Sequence, residues 1–256
     1  MSVAPASWAS DLLGLLLPPG CVSCGSWLPE RSSPVPELVC VSCRARMRAG
    51  SWPRCPRCHW PRGTRRSEDV ECRECAGWPE ALVGARFAYE LRPPVDDLVH
   101  GLKYEGWREL APFMGDAVAG LELPWAGEGR RNGVVTAVPT TLERTKIRGY
   151  NQAELLARRV AGRLDLPYVA ALRRTRATRS QTALTPAERL QNVHGVFEPG
   201  SDAGSLGGRP VLLVDDVLTT GATVCAAAAC LAEAGAGPVV VATFARAVTH
   251  GARDAA

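Results

Sequence analysis

Lysine and long hydrophobic runs are scarce in this sequence. Lys103 and Lys146 are the only lysines among the 30 basic residues, and the other 28 are arginines. No apolar run approaches the roughly 20 residues that a transmembrane helix needs, so we expect no membrane insertion. Residues 1–20 contain an apolar stretch but neither a basic n-region nor a small-residue cleavage site, so we expect no secretory signal. Both absences favour a cytoplasmic protein.

The G-x-x-x-x-G-K-[ST] pattern of P-loop nucleotide-binding proteins is also missing, so a phosphate site of that class is excluded. Hydrophobic residues make up 46% of the chain and charged residues 22%, which is typical of a globular protein and excludes a disordered one. The 256 residues can hold one ordinary core with a small appendage, or two modest domains.

Cysteine, in contrast, is concentrated in the first third of the chain. Eight of the ten cysteines form four C-x-x-C pairs before residue 76. Each such pair is a tight turn that can supply two thiolates to one metal ion, so four pairs predict two tetrahedral zinc sites, each with four cysteine ligands. The surrounding segment has little periodic apolar pattern, so we expect the metal to be structural. The pairs are Cys21/Cys24, Cys40/Cys43, Cys55/Cys58 and Cys72/Cys75.

Two groupings of these pairs are compatible with the spacing. We favour consecutive pairing, in which the first two pairs share one Zn²⁺ and the last two share another, as in successive zinc ribbons. An interleaved cross-brace, which joins first to third and second to fourth, stays open. Disulfides are disfavoured because no secretory signal is expected, and even pairs fit zinc better than an iron–sulfur cluster. We therefore predict a zinc-ribbon head at 1–80 and a second domain at 81–256.

Basic and aromatic residues accompany the cysteines of this head. Residues 44–48 read RARMR, and Trp52 and Trp60 flank the second predicted site. Arginine interleaved with aromatic rings can hold single-stranded nucleic acid by charge and base stacking. The alternative is that so small a head uses its few aromatic rings as core, and the sequence leaves both open.

A second pattern with chemical meaning is VLLVDDVLTTGATV at 211–224. The apolar run Val211–Val214 predicts a buried strand, and the alanine-rich segment after Gly221 predicts a helix that stops at Gly235. In a parallel sheet a helix N-terminus beyond a strand end favours phosphate. The carboxylates of Asp215 and Asp216 repel phosphate but can accept hydrogen bonds from ribose hydroxyls or lie near Mg²⁺. The segment therefore predicts a ribose phosphate site.

This segment resembles the loop by which type I phosphoribosyltransferases bind phosphoribosyl pyrophosphate (PRPP). The resemblance implies a mostly parallel α/β sheet flanked by helices. It also implies that Asp215 and Asp216 hold the ribose hydroxyls. Five small residues would cradle the 5′-phosphate: Thr219, Thr220, Gly221, Ala222 and Thr223.

The middle of the chain predicts a second strand-to-helix unit. Val134–Val138 reads as a strand, a polar loop follows, and a helix begins at about Asn151. The loop opens on Pro139, Thr140 and Thr141, small residues at a strand end that suit a second phosphate group. Residues 130–198 carry a net charge of +8, against +4 for the whole chain, so the positive field is concentrated here.

Several stretches together resemble the ComF family of competence-associated, phosphoribosyltransferase-like proteins. They are the paired cysteines, GLKYEGW, RGYNQAELLA, the basic segment 173–197 and the diacid loop. The resemblance implies displacement of Mg²⁺-bound pyrophosphate from the ribose C1, with Lys103 and Arg148 stabilising the leaving group. It further implies a role in DNA uptake, with single-stranded DNA and a competence helicase-type or other DNA-uptake protein as partners. Segment 173–197 is expected to close over bound substrate.

Three functional hypotheses follow. The first is a transferase that moves phosphoribose from PRPP to an acceptor. The second is a module that senses PRPP or a nucleotide without turnover and binds single-stranded DNA. The third is an assembly factor that uses its head as a docking surface, but it predicts no ligand at the diacid and so conflicts with the motif.

Overall fold

The computed structural model describes residues 20–28, 38–50, 53–62, 72–125, 132–175 and 195–248. Trp52 and most of the predicted closing segment, at 176–194, lie outside the described residues. The helices are α1 Val41–Arg46, α2 Val95–Tyr104, α3 Leu110–Ala119, α4 Leu142–Arg148, α5 Gln152–Leu164 and α6 Ala222–Glu233. The strands are β1 Leu82–Glu90, β2 Val134–Ala137, β3 Leu172–Arg174, β4 Phe197–Pro199, β5 Val211–Leu218 and β6 Val239–Arg246.

Four strands form a parallel sheet in the order β1-β6-β5-β2, and β3 pairs with β4 in a small antiparallel ribbon. The predicted α/β class with a mostly parallel sheet is confirmed. Strand β6 was not predicted, although it lies between β1 and β5 and pairs with both. Its run VVVATFA is buried throughout and apolar except for Thr243, because both faces of a parallel sheet are covered.

Alternate residues of β5 enter different cores, one on each face of the sheet. Val211 and Leu213 pack in a core that includes α6, whereas Leu212 and Val214 pack in a core that includes α2, α3 and α5. Helix α5 begins where predicted, because the Asn151 side chain accepts a hydrogen bond from the backbone N–H of Ala153. The sheet is therefore a middle layer between two sets of helices.

The cysteine-rich segment also covers the outer edge of this sheet. The backbone N–H of Ala85 in β1 donates to the carbonyl of Arg57, at 2.8 Å, and that of Glu90 donates to the carbonyl of Arg48, also at 2.8 Å. These bonds occupy donors that an edge strand would otherwise expose. Residues of the head predicted at 1–80 thus accept hydrogen bonds from β1, the edge strand of the sheet in the domain predicted at 81–256.

Two leucine-to-alanine substitutions test the position of the core. Leu213→Ala removes a fully buried side chain and leaves a cavity, so we expect it to lower the free energy of unfolding by about 2–5 kcal/mol. Leu142→Ala, at a side chain 75% exposed, should change it by less than about 0.5 kcal/mol. Urea denaturation followed by circular dichroism measures both, and equal effects would contradict the assigned core.

Candidate functional site

The two acids lie within strand β5, not after it as the sequence suggested. Strand β5 pairs with β2 only as far as Val214, but it continues to pair with β6 as far as Leu218. Asp215 and Asp216 therefore lie in a part of β5 that still pairs with β6 on one side. On the other side β2 has ended, so this part of β5 no longer pairs with it. Asp216 is only 3% exposed, and Asp215 is half-buried.

The environment of the acids favours protonation of one carboxyl group. Burial, and next the charge of Asp216, raise the pKa of Asp215 well above its usual value. Two backbone donors partly offset the repulsion between the two carboxylates. The N–H of Asp216 donates to Asp215 Oδ1 and that of Val217 donates to Asp216 Oδ1, each at 2.9 Å. The pair is thus rigidly oriented and has little solvent around it.

Lys103 lies directly against this acid pair. Its Nζ is 2.7 Å from Asp216 Oδ2, and the lysine side chain is 21% exposed. Lys103 belongs to the last turn of α2. The hydroxyl of Tyr150 donates to the carbonyl of Leu102 at 2.5 Å, which fixes this turn from the other side of the site. Sequence reasoning proposed Lys103 but missed both its carboxylate partner and Tyr150.

The predicted phosphate loop forms a turn that opens helix α6. Gly221 has φ +86°, a left-handed conformation that favours glycine, and it precedes the first helical residue, Ala222. Thr219 and Thr220 are exposed, and the Thr220 hydroxyl oxygen lies 3.5 Å from the backbone nitrogen of Ala222. The first N–H groups of this 12-residue helix therefore point toward the carboxyl end of β5.

The second predicted loop lies beside the acids because β2 runs parallel to β5. The N–H of Val138 donates to the carbonyl of Val214 at 2.9 Å, so the chain leaves β2 next to Asp215. Pro139 and Thr140 line an open pocket of about 460 Å³. The Thr141 hydroxyl accepts the N–H of Arg144 and caps α4, and its part in phosphate binding stays a prediction. The segment expected as a polar loop is thus helical over Leu142–Arg148.

Arg148 and Lys103 line a common pocket of about 450 Å³. The Arg148 guanidinium donates to Gln152 Oε1 at 2.8 Å and lies over the ring of Tyr104, with 5.1 Å between its Cζ and the ring centroid. Two cationic side chains therefore face one concave surface next to the acids. The structure brings the predicted leaving-group residues together, and their role stays a prediction.

The eight clustered cysteines form two groups of four, and the grouping is the consecutive one. Within each group the sulfur atoms all lie within 4.8 Å of one another. The sulfur atoms are 3.7 Å apart in Cys24–Cys40 and in Cys58–Cys72, far longer than a disulfide. A tetrahedron with Zn–S bonds of about 2.3 Å has edges of this length, so four thiolates of either group fit Zn²⁺. The first cluster is Cys21, Cys24, Cys40 and Cys43, and the second is Cys55, Cys58, Cys72 and Cys75.

The two clusters pack on opposite faces of the sheet. The first shares its core with α2 and α3, and the Ser23 hydroxyl donates to Asp97 Oδ2 of α2 at 2.5 Å. The second shares its core with α6. A hydrogen bond from Cys58 lowers the pKa of the Cys72 thiol, whereas burial raises the pKa of the Cys75 thiol. Each cluster is therefore part of the core on its own face.

Arg246 at the end of β6 was not anticipated from the sequence. It is 1% exposed, its guanidinium donates to the carbonyl of Cys58 at 2.9 Å, and its Cζ lies 4.8 Å from the centroid of the Trp60 ring. A Zn²⁺ ion with four thiolates carries net negative charge, which a buried guanidinium compensates. Trp60 is itself 9% exposed, so it belongs to the core and does not offer a face for base stacking.

The chain is similar in sequence to one protein family and to several curated proteins. Residues 151–254 match the phosphoribosyl transferase domain family. Competence protein ComFC of Bacillus subtilis strain 168 is 29% identical over 206 residues, which cover 78% of this chain and 80% of that protein. The DNA utilization protein YhgH of Salmonella typhi is 30% identical over 198 residues, with 73% and 81% covered. A solved structure described as the allosteric regulatory enzyme of purine biosynthesis is 25% identical, covers 53% of this chain and 25% of that one, and has a TM-score of 0.34.

Across the described ranges, no helix has both the length and the apolar character needed to cross a membrane.

Metal analysis tests the two clusters. We expect two zinc ions per chain by elemental analysis, and one in either Cys43→Ala or Cys58→Ala, because each substitution breaks one set of four ligands. Cys225→Ala is the matched control, since Cys225 is buried in α6 and belongs to neither cluster. Retention of two ions in either cluster variant would contradict the assignment.

Proposed function

Because the chain belongs to the ComF family of competence-associated, phosphoribosyltransferase-like proteins, we propose that it binds PRPP with Mg²⁺ and transfers the phosphoribosyl group to an acceptor. The reaction breaks the bond between the ribose C1 and pyrophosphate, and it forms a bond from C1 to the acceptor. The names of the relatives, a competence protein and a DNA utilization protein, support a role in DNA uptake.

The observation that carries this proposal is the 2.7 Å distance between Lys103 Nζ and Asp216 Oδ2, near the end of β5. Asp215 and Asp216 lie three to four residues before the loop that opens α6, so one ribose phosphate can contact both groups. Carboxylates accept hydrogen bonds from vicinal hydroxyls, while helix N–H groups and threonine hydroxyls donate to the 5′-phosphate. In this proposal Lys103, which is 2.7 Å from Asp216, holds the C1 substituent of the same sugar.

The chemistry at C1 depends mainly on positioning and charge. As pyrophosphate leaves, negative charge develops on its oxygens and positive charge on the ribose ring. Lys103 has three N–H donors, so it can donate to Asp216 and to a pyrophosphate oxygen together. Arg148 faces the same pocket as a second donor. The acids are the residues that would hold Mg²⁺ near the ribose, and the bound ion would neutralise pyrophosphate charge.

A second candidate function is binding of single-stranded DNA in response to PRPP, without turnover. The exposed arginines Arg46 and Arg48 of the predicted basic stretch favour it, since they offer charge to a phosphate backbone. The buried Trp60 weighs against base stacking at the second cluster. The two candidates differ in whether pyrophosphate appears in solution.

The two lysines of the chain provide a matched test of PRPP binding. We expect Lys103→Ala to weaken PRPP affinity at least about tenfold in isothermal titration calorimetry with Mg²⁺, because a charge-assisted contact contributes about 1.5–3 kcal/mol. Lys146→Ala, at an exposed position of α4, should bind as the wild type does. Pyrophosphate release is then assayed with bases, amines and single-stranded DNA as acceptors.

The outcomes separate the two candidate functions. Binding with release by the wild type supports the transferase and identifies its acceptor class. Binding without release from any acceptor supports the PRPP-responsive DNA-binding module. Absence of PRPP binding would overturn the assignment of the diacid and of loop 219–223.

The raised pKa of Asp215 predicts a pH dependence. Ribose hydroxyls are held best by two ionised carboxylates, so affinity for ribose 5-phosphate should rise with pH as Asp215 loses its proton. Asp215→Asn cannot ionise, so its affinity should keep only the dependence that comes from the phosphate group itself. Titrations of both proteins across the same pH series test this, and parallel curves would contradict it.

A further inference from the structure

Trp78 joins the second cysteine cluster to loop 219–223. It follows Cys75 by three residues, and its backbone N–H donates to the Cys75 carbonyl at 3.2 Å. The side chain is 8% exposed and is buried in the same core as the cluster cysteines, Leu218 and Ala222. The Trp78 ring, the second cluster and the residues on either side of the loop turn therefore belong to one core.

The edge of the Trp78 indole lies against the tightest point of that loop. A Cβ at position 221 would come within 3.0 Å of the indole Nε1 and 3.4 Å of its Cε2. Gly221 is the N-cap of α6 and makes no side-chain capping bond. Packing against the ring therefore restricts the turn by which the chain enters α6, beside the 3.5 Å contact of the Thr220 hydroxyl with the Ala222 N–H.

Arg57 holds Trp78 in this position. Its guanidinium donates to four backbone carbonyls, and its Cζ lies 5.8 Å from the centroid of the Trp78 ring. Arg57 lies between Cys55 and Cys58, so the same turn that supplies two thiolates also fixes the segment that carries the ring. The carbonyls and their distances are Cys75 at 3.1 Å, Trp78 at 3.4 Å, Pro79 at 3.0 Å and Leu82 at 2.9 Å.

We propose that Trp78 is a positioning residue for the phosphate loop, through which an intact second cysteine cluster maintains affinity for the 5′-phosphate of the ligand. The proposal rests on the proposed function, because that function assigns the phosphate to loop 219–223. Trp78 acts through Gly221 and not on the reacting atoms. Loss of the second cluster should then weaken phosphate binding although none of its cysteines belongs to the diacid or the loop.

Hydrogen exchange and ribose 5-phosphate titration test the positioning role separately. Trp78→Ala should increase exchange of the amides at 219–223 and weaken ribose 5-phosphate binding at least about tenfold, whereas Trp78→Phe, which keeps a flat ring, should restore most of both. Cys58→Ala should behave as Trp78→Ala does. Trp27→Ala is the matched control, since Trp27 is 78% exposed, and it should change neither measurement.

A double-mutant cycle between positions 78 and 221 isolates the contact. Gly221→Ala introduces backbone strain in any background, but it introduces a clash only where the indole is present. We therefore expect Gly221→Ala to raise loop exchange more in the wild type than in Trp78→Ala. Gly162→Ala serves as a control in α5, where an added Cβ would meet nothing within 4 Å.

Each result bears on the proposal. Unchanged loop exchange in Trp78→Ala, or strictly additive effects in the cycle, would overturn it. If the wild type binds no ribose 5-phosphate, the proposed function fails, and the exchange data still show whether Trp78 orders the loop. If Trp78→Ala loses its zinc, Trp78→Phe with full zinc content and wild-type exchange still supports the role of the ring.

Discussion

Unequal hydrogen bonding on the two sides of β5 is the constraint on which the candidate site depends. The ladder to β2 stops at Val214, and the ladder to β6 continues to Leu218. The four residues beyond Val214 are held by one neighbour and are open on the other side. The half-buried Asp215 and the buried Asp216 therefore lie in a strand whose backbone is paired on one side only, next to the space where β2 has ended.

The cysteine clusters complete the layers around this sheet. In a parallel α/β protein both faces must be covered, and here each face is covered partly by helices and partly by one cluster. The first cluster packs with α2, which carries Lys103, and the second packs with α6, which opens on the phosphate loop. Lys103 and the phosphate loop, which would hold opposite ends of a ligand, are thus each supported by a different cluster.

Local pattern in the sequence predicted much of this arrangement. The diacid loop, helix α6, the start of α5 at Asn151 and the two sets of four cysteines all depend on residues close together in the chain. Strand β6 was missed although its apolar run was a visible signal. The extension of β5 through its acids was missed because the pairing of β6, and not the residues of β5, maintains it.

The remaining features depend on contacts between distant residues, which no local pattern reveals. Arg246 and Cys58 are 188 positions apart, and an arginine at the end of a strand normally suggests a solvent-exposed side chain. Lys103 and Asp216 likewise meet only after α2 has packed on the sheet. The role of Thr141 as a helix cap is the exception, because threonine is a residue type that favours helix N-caps.

The position of β6 has a consequence for how the chain is made. Among the described residues it is the last strand in sequence but an inner strand of the sheet, so the cysteine-rich segment leaves the ribosome long before the strand that joins β1 to β5 exists. During that interval Arg246 has not yet been synthesised, and the second cluster has no buried cation beside it. The sheet can therefore join β1 to β5 only after β6 has been synthesised and has left the ribosome.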